Sequence, residues 1–247
     1  MVRSGLTIMT TIATNLQQVA DRMTRACMAA GRAPASVGLL AVAKTFNADA
    51  VAQAVAAGQR AFGENYIQEG VDKILALRAA LPDAALQWHC IGPVQSNKTR
   101  LVAEHFDWVH SVDRLKIAQR LSAQRPAHLP PLQLCIQVNL DGGATKSGVT
   151  AGQLPGLLRA IAQLPRLRLR GLMSIPDPAP DFQAQKAIHA SVKRLFDQIC
   201  ASAVPGLEDF DTLSLGMTAD LEAAIWAGST LVRVGSGIFG DRPGPLR

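Results

Sequence analysis

Ser214-Leu-Gly-Met-Thr218 and Ser229-Thr-Leu-Val-Arg-Val-Gly-Ser-Gly237 are the two segments from which the fold can be inferred. In each, a short apolar run typical of a buried strand meets small residues at a turn. Gly and Ser at two adjacent strand ends can direct several backbone N–H groups and hydroxyls at one anion. In an eight-stranded α/β barrel, the loops after strands seven and eight commonly bind phosphate. A Gly-Ser-Gly segment by itself is more often a plain turn, so the phosphate hypothesis depends on whether the whole chain predicts a barrel.

Outward from these segments, the chain predicts eight short apolar strands that alternate with helices. The strands are expected at 37–43, 60–62, 86–90, 108–111, 132–140, 167–173, 210–215 and 230–234. The helices are expected at 11–30, 49–57, 67–80, 96–104, from the N-cap Asp113 to 124, and at 150–164, 183–201 and 219–227. Continuous apolar strands indicate a parallel sheet covered on both faces. The pattern predicts a (β/α)8 TIM barrel with an extra N-terminal helix. A doubly wound open sheet is the alternative, but the first strand lacks the Gly-x-Gly-x-x-Gly turn of a dinucleotide fold.

Length and composition suit one barrel domain. The chain has 247 residues, of which 48% are hydrophobic, and no linker divides it, so we expect a single domain over 1–247 with a loose tail at 1–9. No apolar run reaches the roughly 18 residues that span a membrane, and the N-terminus is a poor signal peptide. The four cysteines are far apart and form no Cys-x-x-Cys pair. These features predict a cytoplasmic protein with reduced thiols and no metal site.

The net charge of +6 raises the question of nucleic-acid binding. The basic residues are scattered, and their one cluster, Arg159, Arg166, Arg168 and Arg170, has no interleaved aromatic residues. Aromatic residues make up only 4% of the chain, so a base-stacking platform is not expected. Lys146 lies in a Gly-rich loop and is interpreted as solvated. The surplus charge therefore predicts a solvated surface.

Polar residues are predicted at the carboxyl ends of the strands, where barrels carry their functional groups. Desolvation of a lysine at the end of an apolar strand favours the free amine, which attacks aldehydes, and Lys44 is such a lysine. With a phosphate site across the mouth, it suggests a ligand carrying both groups, pyridoxal 5′-phosphate (PLP). Arg233 would then donate to the pyridine nitrogen, leaving it unprotonated and the ring a weaker electron sink. The other strand-end residues are Asn65, His89, Asn139, Met173, Ser174, Ser214, Gly235 and Ser236.

Each of these residues also has a plainer interpretation. Lys44 taken alone fits a surface lysine, Arg233 an ion-pair partner, and His89 a hydrogen-bonded histidine near the core. Asn65 and Asn139 equally fit loop caps. The combination is more specific than its parts, because Lys, Ser and Arg fall on strand ends one, seven and eight, which are neighbours around a closed barrel.

Eight segments in the chain form an ordered set of motifs: 41–45 (AVAKT), 62–66 (FGENY), 88–98 (WHCIGPVQSNK), 138–139 (VN), 146–148 (KSG), 171–176 (GLMSIP), 213–218 (LSLGMT) and 232–240 (VRVGSGIFG). Through these segments the chain resembles the YggS/PROSC family of pyridoxal-phosphate homeostasis proteins over residues 12–242. In that family Thr is common where this chain has Ser236, Ser is common where it has Thr218, and a bulkier apolar residue is frequent where it has Cys90.

This resemblance implies a fold similar to the N-terminal barrel of alanine racemase, with PLP as the ligand. Lys44 would form a Schiff base with PLP, and Arg233 would face the pyridine nitrogen. The other implied contacts are to the phosphate, by Ser214, Gly235 and Ser236, and to the ring, by Asn65 and Met217.

Two functions are compatible with this ligand. A carrier or buffer for PLP is favoured over an amino-acid racemase of fold type III, because such a racemase uses a second, β-rich domain and a tyrosine as the opposite acid or base. Tyr66, the single tyrosine, is not assigned that role by the resemblance. We expect a monomer, with apo PLP-dependent enzymes as candidate recipients. A third hypothesis is a barrel enzyme that acts on a phosphosugar and uses Lys44.

Overall fold

The structure, a computed structural model, describes residues 11–140, 147–202 and 204–240. Within this part of the chain, eight parallel strands close into a barrel in chain order, so the last strand pairs with the first. The predicted TIM barrel is therefore confirmed. The predicted tail at 1–9 and Lys146 lie outside the described residues. The strands are β1 (Gly38–Val42), β2 (Ala61–Glu64), β3 (Gln87–Cys90), β4 (Trp108–Val112), β5 (Leu132–Gln137), β6 (Leu167–Met173), β7 (Thr212–Ser214) and β8 (Leu231–Val234).

Helices follow the strands and cover the outside of the barrel. Short 3-10 turns at Pro34–Ser36 and Ser96–Lys98 precede β1 and α4. The helices are α1 (Ile12–Ala29), α2 (Ala48–Ala56), α3 (Ile67–Ala80), α4 (Thr99–His105), α5 (Leu115–Gln124), α6 (Leu154–Ala162), α7 (Phe182–Ala201), α8 (Leu221–Trp226) and α9 (Ser236–Phe239). No helix in the described ranges is long and apolar enough to cross a membrane.

The predicted extra helix, α1, lies outside the βα repeat. Its side chains at three- and four-residue spacing, including Leu16, Val19 and Met23, are buried in the common core, as its amphipathic pattern predicts. Thr11 is its N-cap, and its hydroxyl accepts from the Thr14 N–H at 3.1 Å. The helix packs against α8 and α9, next to the loops that follow β7 and β8.

Three local predictions differ from the structure. Asp113 does not cap α5, which begins at Leu115; it pairs instead with the Arg114 guanidinium at 3.0 Å. The predicted fifth strand ends at Gln137, the last residue paired with β6; Val138 still donates to the Met173 carbonyl at 2.9 Å but pairs with Val149 in an isolated bridge. The predicted turn after β8 is the short helix α9, with backbone bonds back to Gly235.

One glycine is required for barrel closure between β6 and β7. A Cβ added to Gly171 would lie 1.6 Å from the Thr212 carbonyl oxygen, which is far inside van der Waals contact. Any other residue would separate the two strands, so Gly171 allows β7 to reach its place beside β6.

Candidate functional site

A cavity of about 590 Å³ opens at the carboxyl ends of the strands. It is bounded on one side by β1 and β2 and on the other by the loops after β7 and β8. Six of the seven residues proposed from the sequence as ligand contacts line it: Lys44, Asn65, Met217, Arg233, Gly235 and Ser236. The barrel fold accounts for this, because parallel strands from distant parts of the chain end at the same rim.

The backbone on both sides of Lys44 is held by an ion cluster on β2 and α3. Lys73 donates to the Ala43 carbonyl at 2.7 Å, and Glu69 accepts from the Thr45 N–H at 2.8 Å. Thr45 has a φ of 69°, a left-handed conformation that is uncommon for a β-branched residue. The cluster therefore fixes a strained backbone next to the lysine that enters the cavity.

Glu64 is the least exposed member of this cluster. Its Oε1 accepts from Lys73 at 2.6 Å, while its Oε2 has no hydrogen-bond partner among the described residues. Burial raises the pKa of the Glu64 carboxyl to about 7, against the opposing attraction of the Lys73 ammonium. Lys73 also pairs with Glu69 at 2.9 Å, so one buried ammonium serves two carboxylates.

Asn65 follows β2 and presents an incompletely satisfied amide. Its Oδ1 is buried without a hydrogen-bond partner among the described residues, although the residue lines the cavity. The loop after β3 approaches its backbone closely, since a Cβ on Gly92 would lie 2.1 Å from the Asn65 carbonyl oxygen. A buried amide oxygen without a partner is costly unless a ligand or water satisfies it.

Arg233 is buried and held by three hydrogen bonds. Its Nη1 donates to the Ser214 carbonyl at 2.6 Å and to the Ser214 hydroxyl at 2.7 Å, and its Nη2 donates to the Ser174 carbonyl at 2.9 Å. Burial lowers the pKa of the guanidinium to about 10, so it stays protonated at neutral pH. Its orientation at the cavity wall is therefore set by the ends of β6 and β7.

A chain of buried side chains continues from Ser214 through the barrel interior. The Ser214 hydroxyl lies 3.0 Å from Nδ1 of His110, and Nε2 of His110 lies 2.9 Å from Nδ1 of His89. Because Arg233 can only donate, the hydroxyl proton of Ser214 is free to go to His110. This orders the chain as Arg233 to Ser214 to His110 to His89, each donating to the next.

His89 and His110 are both neutral at pH 7. Burial lowers the pKa of His89 to about 3 and that of His110 well below its usual value, with the nearby Arg233 charge acting in the same direction on His110. The His89 ring stacks on Trp108 at a centroid distance of 5.2 Å. His89 is buried, which agrees with its interpretation as a near-core histidine. The strand-end motifs do not indicate His110, although alternation along β4 places it inside the barrel.

Hydroxyl and backbone groups cluster at the part of the cavity wall formed by the loops after β7 and β8. The Thr218 hydroxyl oxygen accepts from the Ser236 hydroxyl at 3.3 Å and from the Gly237 N–H at 3.4 Å. Asp220 accepts from the Met217 N–H at 2.6 Å and from His189 at 2.9 Å, which fixes the turn after β7. The sequence noted Thr218 only as a variant position, yet its hydroxyl lies beside Ser236.

The structure does not bring Ser214, the seventh predicted contact, to the cavity wall. Its side chain is fully buried, and its hydroxyl is already engaged by Arg233 and His110. Ser214 is thus one contact behind the cavity wall, next to Arg233, which lines the cavity. Asn139 and Met173 likewise do not line the cavity, and Ser174 contributes its carbonyl to Arg233. No group of three or more potential metal ligands occurs in the described ranges.

Comparison with known proteins adds the family context of this site. The family described as "Alanine racemase, N-terminal domain" matches residues 9–243. A protein of Pseudomonas aeruginosa named pyridoxal phosphate homeostasis protein is 56% identical over 234 residues, which are 95% of this chain and 97% of that protein. The Escherichia coli K12 protein of the same name is 53% identical over 234 residues, 95% of this chain and 98% of its own.

Solved structures agree with the sequence comparisons. PipY of Synechococcus elongatus, solved with PLP bound, superposes with a TM-score of 0.80 at 36% identity, and the match covers 93% of this chain and 100% of PipY. Alanine racemase from Corynebacterium glutamicum superposes with a TM-score of 0.63 at 15% identity, over 94% of this chain and 63% of the racemase. The second likeness shows the barrel fold alone.

Proposed function

Since this chain belongs to the family of the pyridoxal phosphate homeostasis proteins, built on the alanine racemase N-terminal domain, we propose that it binds PLP and acts as a carrier or buffer of this cofactor. The observation that carries the proposal is the composition of one cavity: Lys44, Arg233 and the hydroxyls of Thr218 and Ser236 all line it. These groups match the aldehyde, the ring nitrogen and the phosphate of PLP in turn.

The donor set fits PLP on grounds independent of the relatives. When bound, PLP supplies an aldehyde that condenses with a lysine amine, with release of one water. Lys44 is the one lysine at the cavity wall among the described residues, and the ion cluster of Glu64, Glu69 and Lys73 holds its flanking backbone. The unsatisfied amide oxygen of Asn65 supplies a polar contact that a ring substituent would complete.

Arg233 and the hydroxyl cluster hold the other two parts of the ligand in this proposal. Arg233 donates to the pyridine nitrogen and, remaining protonated, offers no acceptor for a proton on that nitrogen. Thr218, Ser236 and the backbone at Gly235 bind the phosphate oxygens. Ser214 does not contact the ligand in this proposal; it orients Arg233 through two hydrogen bonds.

The same cavity favours a carrier over a racemase. Among the described residues that line it, Lys44 and Arg233 are the only titratable ones. Moving a proton between the two faces of a bound amino acid needs a second acid or base opposite the lysine, and a guanidinium that stays protonated cannot accept a proton. Tyr66 is 57% exposed and does not line the cavity.

A visible spectrum followed by reduction tests the proposal. Purified protein incubated with PLP should show a visible absorbance band that borohydride abolishes, because reduction of the lysine–PLP imine gives a stable secondary amine, and peptide mapping should place this reduced adduct on Lys44. Lys44→Ala should abolish the band, whereas Lys116→Ala, at an exposed position of α5, should leave it unchanged. Absence of the band in the wild-type protein would refute PLP binding, and turnover of any common amino acid to its enantiomer would refute the carrier assignment.

A further inference from the structure

The helix α1 reaches the loops at the phosphate end of the cavity through two side chains. Asn15 and Arg22 are seven residues apart and so lie on one face of this helix. Both are half-buried, and both contact backbone more than 190 residues away in the chain. The barrel is closed by the ladders between β1 and β8, and α1 packs on it through its apolar face, so these two polar contacts are additional links to the loops after β7 and β8.

Arg22 joins α1 to the loop after β7. Its Nε and Nη2 form a bidentate pair with Glu222 of α8 at 2.7 and 2.9 Å, and Nη2 also donates to the Thr218 carbonyl at 3.0 Å. A half-exposed ion pair contributes little stability by itself, but a bidentate pair fixes the plane of the guanidinium. Glu222 thus holds Arg22 in the orientation that places its remaining donor on Thr218.

Asn15 joins the same helix to the segment after β8. Its side-chain amide donates to the Ile238 carbonyl of α9 at 2.9 Å. Thr218 and α9 also contact each other directly, because the Thr218 hydroxyl accepts from Ser236 and from the Gly237 N–H. Finally, Phe239 of α9 stacks on Phe46, two residues after Lys44, at a centroid distance of 5.1 Å.

We infer that α1 is a brace across the two phosphate-binding segments, and that Asn15 and Arg22 are positioning residues that set how long the phosphate is retained. They contact no ligand themselves. Arg22 holds the backbone of the residue whose hydroxyl lies beside Ser236, and Asn15 holds the backbone two residues beyond Ser236. For a carrier, the release rate is the relevant property, so a brace at the phosphate end would tune delivery. This inference rests on the proposed function.

Substitutions on α1 test the brace with a matched control. Arg22→Gln removes the bidentate ion pair with Glu222 and the hydrogen bond to the Thr218 carbonyl, whereas Arg25→Gln changes an exposed arginine on the same helix. PLP should dissociate faster from Arg22→Gln, with about tenfold as the upper bound set by complete transmission of the lost Arg22–Thr218 hydrogen bond to the phosphate contacts, and at the wild-type rate from Arg25→Gln. Pyridoxal, which lacks the phosphate, should bind both variants as it binds the wild type.

A second measurement does not depend on PLP. In the ligand-free protein, backbone amides of 218–220 and 236–239 should exchange with deuterium faster in Arg22→Gln than in Arg25→Gln. Asn15→Asp, which replaces the donor facing the Ile238 carbonyl by an acceptor, should act on the 236–239 amides, and it carries the test if Arg22→Gln does not fold. Unchanged exchange, or an equal loss of PLP and pyridoxal, would overturn the brace. A wild-type protein that binds no PLP while the exchange difference holds would instead refute the proposed function.

Discussion

The guanidinium of Arg233 donates two hydrogen bonds to a single residue, Ser214, at 2.6 Å to its carbonyl oxygen and 2.7 Å to its hydroxyl. The first bond depends only on backbone and the second on the side chain. Ser214 is therefore connected to the cavity through Arg233 rather than by direct contact. Substitution of Ser214 should affect the ring contact of PLP, whereas substitution of Ser236 should affect its phosphate contact.

Ser214→Ala should weaken PLP and pyridoxal binding to the same extent. The substitution removes the hydroxyl that orients Arg233 but keeps the two carbonyl acceptors, so we expect a loss of about 1 kcal/mol, roughly fivefold in Kd. Titration of the visible band with each ligand measures this. A loss confined to PLP would show that Ser214 contacts the phosphate after all.

Ser236→Ala should weaken PLP binding selectively. Its hydroxyl lies at the cavity wall beside Thr218, so the expected loss is that of one hydrogen bond to a charged group, about 1.5–3 kcal/mol, with pyridoxal binding unchanged. Ser236→Thr keeps the hydroxyl and should retain most of the affinity. Equal losses for PLP and pyridoxal would place the phosphate elsewhere.

Because of Glu64, the free energy of unfolding should decrease as the pH rises toward neutrality. Burial raises its pKa to about 7 from an ordinary 4.5, so the folded state binds the proton more tightly than the unfolded state. Its contribution to stability is fully present below pH 4.5 and is lost as the pH rises to about 7, a change on the order of 2–3 kcal/mol. In Glu64→Gln this loss should disappear, as seen by urea unfolding at pH 5 and pH 8, whereas Asp72→Asn, exposed on α3, should keep it. Parallel pH profiles for the wild type and Glu64→Gln would contradict the assignment.

Because of His89, the free energy of unfolding should decrease as the pH falls below neutrality, the opposite pH dependence from that of Glu64. Its pKa is lowered by burial to about 3, so below an ordinary 6.5 the unfolded state takes up a proton that the folded state refuses. Stability attributable to this group is lost as the pH falls, by about 2 kcal/mol at pH 5. His89→Gln should lessen the loss between pH 7 and pH 5, and His128→Gln, at an exposed position, serves as the control. Equal acid sensitivity in all three proteins would show that His89 is accessible to protons in the folded state.

The sequence pattern correctly predicted most residues of the cavity wall, because local runs of apolar residues followed by glycine mark where the strands of a barrel end. Lys44, Asn65, Arg233, Gly235 and Ser236 each follow or end such a run, and each lines the cavity. The ion cluster of Glu64, Glu69 and Lys73 was not predicted. An acid at the end of an apolar strand and a lysine on the apolar face of the next helix were the available signals.

The sequence by itself determined the strand order, the closed barrel and the set of residues at its rim, because these follow from local periodicity and the short connections between elements. Only the tertiary structure decided which rim residues face the cavity and which support it. Ser214 finds its partner in His110, Arg22 reaches Thr218, and Asn15 reaches Ile238, at separations of 104 to 223 residues. Such contacts depend on how side chains pack after the barrel has closed, and nothing in the local sequence specifies the partner of a buried hydroxyl or of a guanidinium.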